Sequence, residues 1–216
     1  VVLGMGYMRQ AVAFAFGLFL ISSLENRKIF TSIIYLFLAV FTHKTSLCLM
    51  FFYFVYFIYY KKYILLIYGL VGTVLIYFLF QESFNHLIFF YLGKGQHMIS
   101  WGSLPRSALL SLVAIVLLYC INDLKLNDYQ KFFYKYLSYL ILLISPFSFI
   151  STVTTDRVLL YYCVIKIILV SSADLENKFI KLLINSIIFL YIAYFTLWIS
   201  AGVNSILWLP YSIIGQ

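Results

Sequence analysis

Three short clusters of polar residues interrupt an otherwise apolar chain, and each is equipped to handle a phosphorylated or hydroxylic substrate. They are Arg9-Gln10, His43-Lys44 within F-T-H-K-T-S-L, and Asp156-Arg157 followed by Tyr161 and Tyr162. A guanidinium forks onto phosphate oxygens and keeps its charge, which suits a diphosphate leaving group. Imidazole, with an unperturbed pKa of about 6.5, takes and returns a proton near neutrality. Lys44 beside it favours the neutral ring and offers a further cation to a phosphate. Asp156 has two readings: a carboxylate that orients Arg157, or a base in its own right.

Each cluster also has a purely structural reading. Arg9 opens an apolar run with Ala13 and Gly17 at i+4 and i+8, a small-residue row that admits a close neighbouring helix. On that row Arg9 is a buried cation between helices; off it, a headgroup anchor. His43 and Lys44 fill a tight turn, where Thr45 and Ser46 are placed to cap the next helix. Asp156 could satisfy a helix N-terminus with Arg157 as its ion-pair partner, while Arg157 and Tyr161 share a face at i, i+4. Lys166, inside an apolar run, either snorkels to the surface or faces the bundle.

Other chemistries lack their residues. No HExxH, GxSxG, Walker A or DxD motif occurs, and His86 and His97 do not have metal-ligand spacing, so neither a metal nor a nucleotide cofactor is expected. Cys48, Cys120 and Cys163 each sit within apolar runs and read as small buried hydrophobes.

The elements that must carry these clusters are membrane helices. The chain is 64% hydrophobic and 10% charged, with a mean hydropathy of +1.01. Such a composition excludes a soluble domain and excludes disorder, leaving lipid as the main solvent. The formal charge of +8 fits loop lysines at anionic headgroups and gives no nucleic-acid site. Eight apolar runs are expected to span: 9–24, 29–42, 45–60, 63–80, 105–121, 132–150, 158–172 and 179–200. The predicted fold is therefore all-α, a polytopic integral membrane bundle of about eight transmembrane helices forming one domain over residues 1–216. The second run, at about 1.5 Å per residue, reaches only some 21 Å. Pro146 is expected to kink the sixth.

Charge gives the bundle two ends. Arg27, Lys28, Lys61, Lys62, Lys125, Lys131, Lys135, Lys178 and Lys181 fall on one set of connections, whereas Arg9, Lys44, Lys94, Arg106 and Arg157 fall on the other. By the positive-inside rule the richer end is cytoplasmic. The three polar clusters then face outward, with the 81–104 loop, whose aromatic residues suggest an amphipathic segment at the interface.

At these clusters the chain resembles the EpsG-like, Wzy-type bacterial polysaccharide polymerases. The matching segments are R-Q-A-V-A (9–13), L-A-V-F-T-H-K-T-S-L (38–47) and T-D-R-V-L-L-Y-Y (155–162), with Pro210-Tyr211 near the end. Such polymerases have further helices before the Arg-Gln motif, so this chain, which opens on Val1, is expected to be the C-terminal part of a longer protein. Its outer loop is shorter and more aromatic than the family's.

The resemblance implies an enzyme of the bacterial inner membrane, multi-pass, that joins oligosaccharide units carried on undecaprenyl diphosphate at the outer face. It implies no cofactor. Its expected partners are the lipid-linked glycan, the bilayer, a chain-length regulator and a flippase. Arg9, Gln10, Lys44, Arg157 and Tyr161 become the substrate-binding residues, and His43 and Asp156 the catalytic ones. A flippase or transporter is the alternative, which would show broken midplane helices or inverted repeats. A glycan-modifying acyltransferase is another, with its His on the cytoplasmic side.

Overall fold

The computed structural model describes residues 2–65, 103–173 and 177–201, with the single positions 67, 69, 78 and 81, and is all-helical over them. Among these residues there are eight α-helices: α1 (Val2–Glu25), α2 (Ile29–Thr42), α3 (Met50–Tyr59), α4 (Ser103–Cys120), α5 (Asp128–Ile144), α6 (Thr152–Tyr162), α7 (Val164–Ser171) and α8 (Lys178–Ala201). Two 3-10 segments, Lys44–Leu49 and Ser145–Phe149, precede α3 and follow α5. Among the described residues, four stretches are long and apolar enough to cross a membrane: Met8–Glu25, Ser103–Cys120, Asp128–Phe149 and Lys178–Leu197. Ile29–Thr42 and Lys44–Tyr59 are shorter apolar helices. Phe30, Phe41 and Phe149 point outward, 77%, 84% and 80% exposed, as expected where lipid is the outer solvent. The fourth expected span lies largely outside the described residues, as do the 82–102 segment and Pro210-Tyr211.

Three expectations about helix continuity are corrected. The third span does not start as an α-helix but as the 3-10 segment Lys44–Leu49. Pro146 does not kink the interior of a helix: α5 stops at Ile144, and Pro146 takes an early position of the following 3-10 segment. There its missing N–H leaves nothing unsatisfied. The seventh span is broken at Cys163 into α6 and α7. The break is shallow, because Cys163 keeps right-handed helical angles (φ −59°, ψ −13°).

Two tight turns are built alike. Arg27 and Lys61 hold left-handed backbone, φ 57° and 54°. Each belongs to a paired C-terminal cap: Arg27 N–H donates to Leu24 O and Lys28 N–H to Ser23 O, while Lys61 N–H donates to Ile58 O and Lys62 N–H to Phe57 O. This motif favours glycine at the left-handed position. A cation there is strained but interacts well with the helix C-terminal dipole. The start of α5 is capped reciprocally, Gln130 N–H donating to Asn127 Oδ1 at 2.8 Å and Asn127 N–H to Gln130 Oε1 at 3.1 Å.

The core joins α3, α5 and α6 through aromatic rings. Phe52 meets Phe133 edge-on at 5.2 Å and Tyr162 at 6.0 Å. Toward the lysine-rich end, Tyr60 stacks on Tyr129 at 5.7 Å and carries the Arg27 guanidinium over its ring at 5.1 Å. Gln130 Nε2 donates to Glu25 at 3.1 Å, and Lys125 N–H donates to Ser172 O at 2.9 Å. These contacts bring the 25–28, 60–62, 121–130 and 172–173 segments to one end of the bundle. The other end is fixed by Ser103 Oγ donating to Thr152 O at 2.8 Å and Ser107 Oγ to Ser148 Oγ at 3.1 Å.

Candidate active site

At this second end the three polar clusters meet. Gln10 is the inward member of the first cluster, 5% exposed, and its Nε2 donates to the Arg157 carbonyl at 3.2 Å. The buried row of α1 is therefore Gln10–Ala13–Gly17, not Arg9–Ala13–Gly17. Gly17 packs so closely that a Cβ added there would meet both Leu49 methyls at 3.3 Å. Arg9 lies on the adjacent exposed face. The expectation of a cation buried between helices fails for it, because one residue turns the side chain about 100° around the helix.

His43 ends α2 in extended backbone (φ −153°, ψ 115°), and its carbonyl accepts from Ser46 N–H at 3.0 Å and Ser46 Oγ at 2.7 Å. Its Nδ1 lies 2.6 Å from Thr45 Oγ1 and 3.3 Å from the Tyr161 hydroxyl. The Thr45 hydroxyl thus goes to the imidazole, and no side chain caps the 3-10 segment that follows. Burial, then the charge of Arg157, then that of Arg9, push the imidazole below its ordinary pKa of 6.5. Lys44 is exposed beside it.

The third cluster holds a two-bonded ion pair. Arg106 Nε and Nη2 donate to Asp156 Oδ1 and Oδ2 at 2.7 and 2.6 Å. Both Asp156 oxygens accept from Arg106, in the first turns of α4. Arg157 is half-buried, its carbonyl accepting from Gln10 and its charge acting on His43, and Tyr161 is buried one turn on, reaching His43 from α6.

A cavity of about 160 Å³ opens beneath this constellation, lined by Gln10, Arg106, Ser107, Asp156, Cys163 and Lys166 among others. Lys166 faces the bundle, with Nζ over the Tyr191 ring of α8, 4.2 Å from its centre. No group of three or more His, Cys, Asp or Glu side chains stands together among the described residues.

All seven expected site residues thus lie at one end of the bundle, and five of them are tied together by direct contact or by charge on His43: Arg9, Gln10, His43, Arg157 and Tyr161. Asp156 reaches the group through the cavity it shares with Gln10. Thr45, expected only as a cap, and Arg106, expected only as a minority cation, join the site by their contacts with His43 and Asp156. Arg106 carried a signal, since it belongs to the minority set of cations.

A model of the EpsG family matches residues 1–213. The chain belongs to the EpsG family. No curated protein and no solved structure matches it. Membership makes this EpsG-family chain a membrane protein of polysaccharide biosynthesis, with a glycosyltransferase-like polymerase as the activity implied at family level.

Proposed function

We propose that this EpsG-family chain polymerises oligosaccharide units carried on undecaprenyl diphosphate at the outer face of the bacterial inner membrane. The observation that carries the reading is the convergence of Gln10, His43, Arg106, Asp156, Arg157 and Tyr161 at the end opposite the lysine-rich turns. By the positive-inside rule that end faces outward.

In the proposed reaction the acceptor hydroxyl oxygen attacks the anomeric carbon of the growing chain. The bond from that carbon to the diphosphate oxygen breaks, and lipid diphosphate leaves with the bonding electrons. His43 takes the hydroxyl proton. Its lowered pKa keeps the ring neutral at pH 7, and Thr45 Oγ1 at 2.6 Å accepts from Nδ1–H, leaving the Nε2 lone pair as the base. Arg157, Arg9 and Lys44 offset the diphosphate charge. Asp156 holds Arg106 in place, a positioning role in place of proton transfer. Chemistry of this kind needs no metal, because diphosphate is already a good leaving group.

The break at Cys163 gives the transporter reading its one specific observation. That break keeps its i+3 hydrogen bonds, Cys163 N–H to Leu160 O at 3.2 Å and Lys166 N–H to Cys163 O at 3.0 Å. It therefore frees no row of carbonyls for cargo, and polymerisation is the better account.

The test is the surface glycan of a deletion strain complemented with full-length variants. His43→Ala and Arg157→Ala should leave single repeat units at the surface, with protein level unchanged. Unaltered polymer length removes these residues from the site, and units trapped on the cytoplasmic side point to a flippase.

A further inference from the structure

The 3-10 segment that carries Lys44 leads from the candidate site directly into an apolar groove. The groove, of about 480 Å³, lies between α3, α5 and α6 and is lined by Leu47, Met50, Phe54, Phe57, Tyr162 and Gly69 among others. Leu47, where this lining begins, is three residues from Lys44, about 6 Å at the 2.0 Å rise of a 3-10 helix. From Leu47 the lining continues along α3 to Phe57, about 16 Å further. Phe57 already borders the lysine-rich end, since its carbonyl accepts from Lys62 N–H at 2.9 Å.

The hydroxyls along this groove are already engaged. Tyr162 donates to Cys48 O at 3.1 Å and Tyr53 to Ser32 Oγ at 2.9 Å. What remains is a wall of rings and aliphatic chains, with the pliable Met50 thioether among them. Such a wall matches a hydrocarbon. Length then decides which hydrocarbon. A phospholipid acyl chain of one leaflet covers half of a core of about 30 Å, roughly 15 Å. With exposed Lys44 at the outer surface, the path from Lys44 to Phe57 measures about 22 Å along the helix axis and crosses the midplane. A long polyisoprenoid phosphate meets both conditions: an anionic group beside a surface cation, and a tail longer than one leaflet that starts within one short turn of it.

We propose that the groove between α3, α5 and α6 holds the isoprenoid tail of a polyprenyl-linked substrate, with the phosphate next to the tail at Lys44. The proposal rests on the polymerase reading for the nature of the lipid, but its test does not need polymer to form.

Full-length protein in nanodiscs is titrated with a long-chain polyprenyl monophosphate, with uncharged polyprenol and phosphatidylglycerol as comparison lipids. Polyprenyl monophosphate should bind at least tenfold more tightly than either. A Cβ added at Gly69 meets no heavy atom of the described residues within 4 Å, so Gly69→Phe has room to occupy the groove. It should weaken monophosphate binding at least tenfold at an unchanged melting temperature. Lys44→Met should also weaken it at least tenfold, and Lys44→Arg should retain most of it. Ile188→Trp, in the separate apolar groove between α4, α7 and α8, should leave it unchanged. Unchanged affinity in Gly69→Phe, equal binding of phosphatidylglycerol, or loss in Ile188→Trp overturns the groove assignment. Unchanged affinity in Lys44→Met, or equal binding of polyprenol, overturns the placement of the phosphate. If Gly69→Phe fails to fold, Met50→Trp decides, and unchanged affinity there overturns the groove assignment too. Loss of lipid binding in these variants beside unaltered polymer in His43→Ala leaves this lipid site standing and rejects the polymerase reading. Intact binding in Gly69→Phe with polymer lost in His43→Ala does the reverse.

Discussion

Arg106 clasps Asp156 with two hydrogen bonds, 2.7 and 2.6 Å, between residues fifty apart in sequence. The pair ties the first turns of α4 to α6 at the level of His43. It is also partly open, with side chains 36% and 21% exposed. Water and screening therefore reduce its net worth. Removing either partner strands the other charge, so Arg106→Gln and Asp156→Asn should each lower the melting temperature. The double variant should lose less than the sum of the two. A coupling of about 1 kcal/mol is expected from a double-mutant cycle in detergent, and additive losses would show that the clasp does not stabilise the fold.

Gly17 sets how closely α1 approaches the 3-10 segment that follows His43. A Cβ at 3.3 Å from the Leu49 methyls presses on the far end of a flexible side chain, so Gly17→Ala should be tolerated. Gly17→Leu has no such room and should cost about 1–3 kcal/mol by overpacking. Because Leu49 sits six residues after His43, the larger variant should also shorten the surface polymer. Thermal melting and glycan length measured on the same two variants test both statements.

Lys61 holds a left-handed backbone at φ 54°. For a residue with a Cβ this conformation costs about 1–2 kcal/mol, which glycine avoids at some entropic cost of its own. Lys61→Gly should therefore raise stability, by about 0.5–1 kcal/mol after the lost helix-dipole contact is counted. Lys61→Ala, which keeps the strain and loses the charge, should lower it. The two melting temperatures must move in opposite directions for this account to hold.

Helix positions were legible because apolar runs of spanning length have one stable form in lipid. The second run, Ile29–Thr42, matches α2 residue for residue. The interruptions at 145–149 and Cys163 were not, because 3-10 and α segments bury the same side chains and hydropathy does not change across them. The common end shared by Arg9, His43 and Arg157 followed from counting alternate connections. The inward face of α1 did not: choosing Gln10 over Arg9 requires knowing where α6 lies. Arg106–Asp156 has no local periodicity at all, and only the folded chain brings those helix starts together.

His43 offers the sharpest test of the site, because three separate causes depress its pKa: burial first, then Arg157, then Arg9. Burial and neighbouring cations both disfavour imidazolium, so the ring stays neutral down to a pH below 6.5. A base must be neutral to act, so polymer formation should hold through neutrality. It should then fall as the pH drops through that lowered pKa. Arg157→Gln and Arg9→Gln each remove one repelling charge. Their acid limbs should move toward higher pH, further for Arg157 than for Arg9, whatever each substitution does to the maximal rate. Tyr161→Phe removes the hydroxyl 3.3 Å from Nδ1 but leaves both cations, so it should alter the rate while keeping its acid limb below that of Arg157→Gln. In vitro polymerisation by the full-length protein across pH 5 to 8 reads all four profiles. An acid limb that stays fixed when Arg157 loses its charge would remove His43 as the titrating base.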